Sequence, residues 1–130
     1  MKRSASRKSK PAAPKRPEEI SENCLQKHTN QWLRKTYPGL LAFHVPNERK
    51  GGIGAGVHFK AMGVLAGVAD WLLFPKCGRK IAIELKKEGG KARTGQEAFE
   101  NAWRWTGGEY FLVDTLAEFQ SIVNAVMLFG

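Results

Sequence analysis

Residues 67–86 constrain the fold of this chain most, because they carry the pattern of a β-hairpin. Two apolar runs rich in β-favouring residues, Trp71–Phe74 and Ile81–Leu85, lie on either side of a short polar segment, residues 75–78. That segment begins with proline and ends with glycine, and both are typical of tight turns. The second run is too apolar for the free edge of a sheet. We therefore expect two antiparallel strands, the second of them inside a sheet.

Three charged residues lie in this hairpin, where a buried strand pair normally has none. Asp70 opens the first strand, and Glu84 and Lys86 lie near the end of the second. If the strands pair about the turn, Asp70 comes within about one rung of Glu84, where opposed β-carbons are roughly 5 Å apart. Glu84 and Lys86 are two residues apart and therefore project from the same face. The sequence predicts that two carboxylates and a lysine converge on one patch.

Such a patch suits a divalent metal and the hydrolysis of phosphodiesters. Mg²⁺ or Mn²⁺ prefers oxygen ligands, neutralises charge on a phosphate and activates a water molecule. Asp70 and Glu84 supply two carboxylate ligands, and the backbone carbonyl of Leu85 is placed to be a third. Lys86 lies beside them, where it is placed to orient the attacking water. We interpret the patch as a metal-dependent nuclease centre.

The alternative for this hairpin is an ordinary strand with an outward ion pair between Glu84 and Lys86. A Glu-x-Lys pattern alone fits that alternative, because half-exposed strands often carry alternating charges. The matching depth of Asp70 on the partner strand favours the site. Trp71 and Phe74 belong to the apolar hairpin, and we expect them in the core rather than stacked on nucleobases.

The rest of the chain predicts an α/β domain over residues 18–130, with a mixed sheet flanked by helices in the order α-β-α-β-β-α-β-α. Two capping-box spacings, Thr94 with Glu97 and Thr115 with Glu118, predict helix starts. The predicted elements outside the hairpin are a helix from residues 18–22 to about Lys35, a strand over residues 40–45, a short helix over residues 57–62, a helix from Thr94 to Thr106, a strand over Glu109–Val113, and a last helix.

Helical spacing also predicts which residues face the core. In the first helix, Leu25, Trp32 and Leu33 lie on or near one face. The residues expected to pack in the two later helices are Ala98, Ala102 and Trp105, and then Leu116, Phe119, Ile122, Val123, Val126 and Met127. Two polar residues stand out beside these faces. Glu22 is close to the apolar face of the first helix, although an acid in a first turn is more often a solvated cap. Gln96 lies in the first turn of the helix that follows the hairpin.

The formal charge of +9 is unevenly distributed. Seven Lys and Arg residues and no acid fall in residues 1–17, so residues 18–130 carry only +2. This Ser-, Ala- and Pro-spaced stretch cannot bury apolar area, and we expect a disordered basic tail. A tail of this kind suits a nucleic-acid-binding arm attracted to phosphates. A solubilising, non-specific tail is the alternative with equal weight.

Two glycine-containing basic loops are candidate DNA contacts. Their polar and basic residues are placed to hold phosphates together with bare backbone amides. A glycine-rich surface loop with no ligand is the alternative, and the spacing of a nucleotide-binding P-loop is absent, so no nucleotide cofactor is expected. The candidate residues are Asn47, Arg49 and Lys50 in the first loop and Lys87, Lys91 and Arg93 in the second.

Cysteine and histidine usage indicates neither disulfides nor zinc. Cys24 and Cys77 form no CxxC pair and suit a reducing, intracellular setting. The three histidines lack the spacing of zinc ligands. No apolar segment follows the basic tail as in a secretory signal, and no stretch approaches the length of a membrane span.

The residues described so far carry a resemblance to the PD-(D/E)xK nuclease superfamily. Within it, the chain is similar to a stand-alone VRR-NUC domain over residues 20–125. The resemblance departs from the usual pattern at Ala69, where the family usually has proline, a residue that stiffens the chain and supplies no chemistry. The features that carry it are Glu22, residues 44–47, residues 60–70 ending in Asp70, residues 83–86, and Gln96.

The resemblance implies a restriction-endonuclease-like core and a metal-dependent endonuclease. Asp70 and Glu84 would be metal ligands and Lys86 the water-positioning lysine. Glu22 would complete the metal shell through water, and Gln96 would support the active site. The resemblance also implies Mg²⁺ or Mn²⁺ as cofactor and a homodimer that cleaves branched DNA such as Holliday junctions, in the cytoplasm or nucleoid of a bacterial or phage-infected cell.

Two other functions are compatible with parts of the pattern. A non-catalytic DNA-binding protein would keep the fold and use the basic tail, but a degenerate nuclease is expected to have lost an acid or the lysine. Here Glu22, Asp70, Glu84, Lys86 and Gln96 are all present. An HNH-type nuclease built on His44 and Asn47 would need further ligands, which the sequence does not offer.

Overall fold

A computed structural model describes residues 22–46, 60–86 and 94–129, without the side chains of Glu22 and Thr94. The described part has the order α-β-β-β-α-β-α. Its elements are α1 (Glu22–Thr36), β1 (Leu41–His44), β2 (Trp71–Phe74), β3 (Ile81–Leu85), α2 (Thr94–Trp105), β4 (Glu109–Val113) and α3 (Leu116–Phe129). The predicted hairpin strands and the strand over Glu109–Val113 are confirmed residue for residue, and the predicted α/β class with a mixed sheet is confirmed.

The four strands form one sheet in the order β1-β2-β3-β4. The β1–β2 and β2–β3 pairs are antiparallel, whereas β3 and β4 are parallel. A parallel pair needs a crossover connection, and α2 lies in the segment that joins these two strands. The strand β3 is therefore central, as its continuous apolar sequence predicted.

The hairpin closes through the predicted turn at residues 75–78. The Gly78 N–H donates a hydrogen bond of 3.1 Å to the Pro75 carbonyl oxygen. Gly78 has φ +89°, a conformation that side chains with a β-carbon rarely adopt. The register pairs Trp71 with Ile83 and Leu73 with Ile81. This register determines which residues of the two strands share a face of the sheet.

The two faces of the sheet are covered by different helices. On one face, α1 and α3 cover the main core, in which Trp71, Ile83 and Phe119 are fully buried. On the other face lies a smaller cluster in which Phe99 of α2 packs with Ala82 and Tyr110. Because side chains alternate along a strand, Glu84 projects with Ala82 towards this second face. The strand pair thus separates an apolar core from a face that carries charge.

Helix α1 is attached to the sheet and to α3 by two hydrogen bonds between side chains. The Trp71 indole N–H donates to the Thr29 hydroxyl over 3.2 Å in the buried interior. The Tyr37 hydroxyl donates to Asn124 Oδ1 over 2.5 Å. Leu25 and Leu33 are buried and Trp32 is partly buried, as the helical spacing predicted. These contacts hold the middle of α1 against β2 and the residue after its end against α3.

Helix α3 begins at the second predicted capping box. The Glu118 N–H donates to the Thr115 hydroxyl over 3.2 Å, which confirms Thr115 as the cap. The Glu118 carboxylate accepts from the N–H of Asp114. Phe119, Val123 and Val126 are buried and Leu116 and Ile122 pack against the core, but the predicted core position of Met127 is wrong. Met127 lies in the last turn of the helix and is exposed.

The predicted packing face of α2 is wrong. Ala98, Ala102 and Trp105 are exposed, and Trp105 retains 89% of its accessible surface. The face that meets the sheet instead carries Gln96, Phe99 and Trp103, which recur at intervals of three and four residues. The two larger aromatic residues bury more apolar area than the alanines do, so the helix turns them inwards.

Several predictions lie outside the described residues. These are the basic tail over residues 1–17, the helix start at residues 18–21, and residues 57–59 of the predicted short helix, of which Lys60 and Ala61 are described and helical. Within the described ranges, no helix has both the length and the apolar character needed to cross a membrane.

Candidate active site

The predicted meeting of Asp70 and Glu84 occurs at one end of the β2–β3 hairpin. Continuing the register one residue beyond the Trp71–Ile83 pair places Asp70 opposite Glu84. The Asp70 N–H donates to Glu84 Oε2 over 3.1 Å. In turn, the N–H of Leu85 donates to Asp70 Oδ2 over 2.8 Å. Each carboxylate is therefore held by the backbone of the opposite strand, which orients both with little freedom.

The second oxygen of Glu84 is contacted by two further side chains of the predicted set. Gln96 Nε2 donates to Glu84 Oε1 over 2.5 Å, and Lys86 Nζ lies 3.4 Å from the same oxygen. The N–H of Lys86 also donates to the Val113 carbonyl over 2.7 Å, so the lysine continues the β3–β4 pairing. The structure thus brings together Asp70, Glu84, Lys86 and Gln96 from two strand ends and one helix start.

These polar side chains are removed from solvent. Glu84 is 3% exposed, Lys86 7% and Gln96 9%. Charged residues are almost never buried to this extent unless they are paired. The outward ion pair on a half-exposed strand, which was the alternative for this hairpin, is therefore wrong. The pair faces the space between the sheet and α2.

Burial and a neighbouring acid act on Glu84 in the same direction. Removal from water is the largest effect and the negative charge of Asp70 the next, and together they raise the pKa of Glu84 to about 7. The Lys86 charge and the hydrogen bonds from Lys86 and the Asp70 backbone oppose this rise. The net result is a carboxyl group for which a second nearby cation would be favourable.

Gly67 allows the first turn of α2 to approach the hairpin. It has φ +79°, and a β-carbon at this position would overlap with the Gly95 carbonyl group and closely approach the Gln96 backbone nitrogen. Only glycine fits both conditions. Because Gln96 bonds Glu84, this close approach between the segment before Asp70 and the start of α2 sets the position of the amide relative to the acids.

The backbone carbonyl of Asp70 connects the site to β1. It accepts hydrogen bonds of 2.8 Å from the His44 ring and from the N–H of Val45. A carbonyl oxygen can only accept, so the proton in the first bond lies on Nδ1 of His44. The residues at the end of β1 therefore hold the backbone on which the Asp70 carboxylate is carried.

Sequence reasoning missed Tyr110, which lies on the same face of the sheet as Glu84. Its hydroxyl is buried and has no hydrogen-bond partner in the described part of the chain. Burial and then the negative charges of Glu84, Glu100 and Asp70 raise the pKa of Tyr110. The available signal was the pairing of β4 with β3. Tyr110 pairs with Ala82, and because side chains alternate along a strand, Ala82, Glu84 and Tyr110 project to the same face.

The remaining predicted site residues are described only in part or not at all. Glu22 is the first residue of α1, and its side chain is not described. The Leu85 side chain is buried in the main core on the opposite face, so only its backbone faces Asp70. The six predicted DNA contacts, Asn47, Arg49, Lys50, Lys87, Lys91 and Arg93, all lie outside the described residues.

The donor set fits a hard divalent cation such as Mg²⁺ or Mn²⁺. The buried Glu84 carboxylate meets the half-buried Asp70 carboxylate, and Mg²⁺ is usually bound by one or two carboxylates with water at its other positions. Where side chains are described, no group of three or more His, Cys, Asp and Glu residues is arranged to hold a metal. Among the described side chains, the acidic ligands at this place are therefore Asp70 and Glu84.

Comparison of the chain with protein-family models, with curated proteins and with solved structures gives no match in any of the three. The function is therefore inferred from the site itself. Its defining feature is a pair of strand-borne carboxylates joined by reciprocal backbone hydrogen bonds, with a buried lysine and a glutamine on one of them.

Proposed function

We propose that this protein is a divalent-metal-dependent DNA endonuclease with its active site at Asp70, Glu84, Lys86 and Gln96. The observation that carries the proposal is the burial of Lys86 against a carboxylate that also meets a second acid. Buried charge is unfavourable for stability, and an ion pair of this kind is weak evidence for a structural role. A catalytic role gives a reason for its presence.

The proposed metal ligands are the carboxylates of Asp70 and Glu84, together with the Leu85 carbonyl and, through water, Glu22. When bound, Mg²⁺ or Mn²⁺ supplies neutralisation of phosphate charge and lowers the pKa of a water molecule. The backbone bonds to Asp70 and Glu84 keep their carboxylates at the end of the hairpin before any ligand arrives. Such preorganisation removes part of the cost of binding and reaction.

Lys86 and Gln96 have separate proposed tasks. Lys86 Nζ, 3.4 Å from Glu84, is placed to donate a hydrogen bond to the attacking water or to the phosphate oxygens that gain charge. Gln96 holds Glu84 Oε1 in place through its amide group. An amide adds no charge, so it orients the carboxylate without competing with a cation for it.

The described fold supports the same proposal. The order α-β-β-β-α-β-α, with the acids at the end of the two central strands, is compatible with the restriction-endonuclease-like core of the PD-(D/E)xK superfamily. The resemblance to stand-alone VRR-NUC domains supports a homodimer that acts on branched DNA such as four-way junctions. The seven basic residues in residues 1–17 are proposed to strengthen DNA binding through the phosphates.

The test uses substitutions that keep shape and remove one charge. Asp70→Asn and Glu84→Gln are expected to lower the cleavage rate by at least about 100-fold, while binding of four-way junction DNA changes little. Binding is measured by gel shift in the presence of Ca²⁺, and cleavage is measured in Mg²⁺ under single-turnover conditions. Cleavage that survives both substitutions would refute the site.

The matched control is Glu109→Gln. Glu109 is the first residue of β4 and pairs with Ile81, the first residue of β3. Its carboxylate accepts two hydrogen bonds, of 2.7 and 2.8 Å, from Arg79. The substitution removes the same charge from the opposite end of the sheet. Cleavage by this variant is expected to match that of the wild-type protein, and an equal loss would indicate a general effect of charge on DNA binding.

The alternative function, a non-catalytic DNA-binding protein, predicts binding by all variants and cleavage by none, wild type included.

A further inference from the structure

We propose that Tyr110 is a positioning residue of the acidic site, which holds the Glu84 carboxylate through one bridging water molecule. This inference rests on the proposed function, because it assigns Tyr110 to the same site. It concerns a residue outside the Asp70, Glu84, Lys86 and Gln96 set, on a strand that contributes no other residue to the chemistry. Three observations support it: the register of β4, the burial of the Tyr110 hydroxyl and the charges around that hydroxyl.

The register places Tyr110 beside the acids. Tyr110 pairs with Ala82, and Leu112 pairs with Glu84. Tyr110 therefore lies on the strand next to Glu84, two residues before the position directly opposite it. All four side chains project to the α2 side of the sheet, where Tyr110 and Glu84 are buried and Leu112 is exposed. The Phe99 ring packs on the Tyr110 ring with 6.2 Å between centroids, and Gln96, which bonds Glu84, lies one turn before Phe99. The same helix thus covers Tyr110 and orients Glu84.

The Tyr110 hydroxyl has a hydrogen-bonding capacity that no described protein atom uses. The residue is only 5% exposed, and the hydroxyl is buried without a partner. Most buried polar groups are hydrogen-bonded, and one without a partner in the protein generally meets ordered water. Two of the three acids whose charge acts on the hydroxyl, Glu84 and Asp70, belong to the site, and Glu84 acts most strongly.

These surroundings decide which way the hydrogen bond runs. A phenol is protonated at neutral pH, and burial and then the negative charges of the acids raise the pKa of Tyr110 further, so the hydroxyl is a donor towards the acids. Glu84 lies on the neighbouring strand and the same face of the sheet, and because the hydroxyl has no direct protein partner among the described residues, the inferred link runs through one water molecule. A water-mediated bond from Tyr110 would restrain the Glu84 carboxylate in addition to the direct bonds from Gln96 and the Asp70 backbone. Groups of this kind affect metal affinity and rate although they contact neither metal nor substrate.

The test compares two tyrosine-to-phenylalanine substitutions. One removes a hydroxyl assigned to the acidic site, and the other removes a hydroxyl that makes a direct hydrogen bond within the protein. Tyr110→Phe is expected to lower kcat for junction cleavage by about 10-fold, with an unchanged KM for DNA, and to raise the Mg²⁺ concentration needed for half-maximal rate. The Mg²⁺-induced increase in Tm should also be smaller than in the wild-type protein, which is a readout independent of cleavage. In the absence of metal, its Tm should stay within a few degrees of the wild-type value, because no protein hydrogen bond is lost.

The control is Tyr37→Phe, which removes the direct 2.5 Å bond to Asn124 far from the site. It is expected to lower Tm and to leave kcat and the Mg²⁺ dependence unchanged, the reverse of Tyr110→Phe. Wild-type values of kcat and of the Mg²⁺-induced Tm shift in Tyr110→Phe would overturn the inference, as would a variant that fails to fold. A wild-type protein that shows no Mg²⁺-dependent cleavage would instead overturn the proposed function, whatever the two variants do.

Discussion

Glu84 is subject to opposed influences that a single residue rarely combines. Burial and the Asp70 charge favour its protonated form, whereas Lys86 and the N–H of Asp70 favour the carboxylate. Near neutral pH the group therefore lies close to its midpoint, with its pKa at about 7. A bound divalent cation would shift this balance fully to the carboxylate. The ionised residue is thus destabilising without metal, and a bound cation would offset this cost.

The raised pKa of Glu84 predicts how stability depends on pH. The pKa of Glu84 is about 7 in the folded chain and 4.5 in the unfolded chain. Between pH 4.5 and 7 the folded chain therefore keeps a proton on Glu84 that the unfolded chain has lost. The free energy of unfolding contributed by Glu84 therefore falls as pH rises from about 4.5 to 7, by about 1–3 kcal/mol, and is constant outside that window. Urea unfolding of metal-free protein across this range measures the change.

Two substitutions isolate the Glu84 contribution from those of other acids. Glu84→Gln should lose this decrease and become more stable than the wild-type protein above about pH 7. Glu109→Gln should behave oppositely, because Arg79 lowers the pKa of Glu109, and that carboxylate stabilises the fold above its unfolded pKa. Parallel pH profiles for the wild-type protein and Glu84→Gln would contradict the burial of a charged Glu84.

At the residue scale, alternation along two strands was enough to predict that Asp70, Glu84 and Lys86 meet. Their spacing in the sequence determines their face once the turn at residues 75–78 is recognised. Gln96 entered only through the resemblance and its place in a first helical turn, because no local pattern states what a helix packs against. Tyr110 was missed, since a tyrosine in an apolar strand is normally core, and its relation to Glu84 exists only after β4 pairs with β3.

At the scale of elements, the site depends on how closely α2 approaches the hairpin. Gly67 and Gly95 meet where the segment before Asp70 passes the start of this helix. Gly67 has no side chain, so its backbone approaches the Gly95 carbonyl to a distance that any larger residue at position 67 would prevent. Gln96 follows immediately and bonds Glu84.

Gly67→Ala is therefore expected to separate α2 from the hairpin. The new β-carbon would meet the Gly95 carbonyl, and the positive φ adds strain of about 1–2 kcal/mol. We expect a larger loss of stability than strain alone gives, and a lower cleavage rate because Gln96 moves away from Glu84. Urea unfolding and single-turnover cleavage measure the two effects.

Gly63→Ala is the matched control for this substitution. Gly63 has a similar positive φ of +91°, but nothing lies within 4 Å of the position of its added β-carbon. It should show the strain without the displacement, with cleavage close to that of the wild-type protein. Equal effects of the two substitutions on cleavage would mean that the approach of α2 does not matter for the site.

Among the elements, those defined by local sequence were predicted best. The hairpin strands and β4 match residue for residue, because turn-forming residues and changes in apolar character mark their ends. The packing face of α2 was predicted wrongly from Ala98, Ala102 and Trp105. Its true face depends on contacts with Glu84 and Tyr110, which lie on two strands outside the helix, and tertiary packing decides such cases over local spacing.

On the scale of the whole molecule, one sheet serves two purposes. The face towards α1 and α3 buries Trp71, Ile83 and Phe119 and supplies most of the apolar core. The face towards α2 holds the acids at one end of the sheet. At the other end, the Arg79–Glu109 ion pair joins the segment before β3 to the start of β4. Because Glu84 lies between Ile83 and Leu85 in the central strand, the core supports the carboxylate from both sides along the chain.

The central claim is that this arrangement cleaves DNA with a divalent cation. The most direct test measures wild-type cleavage of a four-way junction, a flap and a linear duplex side by side, with Mg²⁺ and with a chelator. The claim predicts cleavage in Mg²⁺, fastest on the junction, and none in chelator. Cleavage that the chelator does not affect, or no cleavage of any substrate in Mg²⁺ or Mn²⁺, would contradict it.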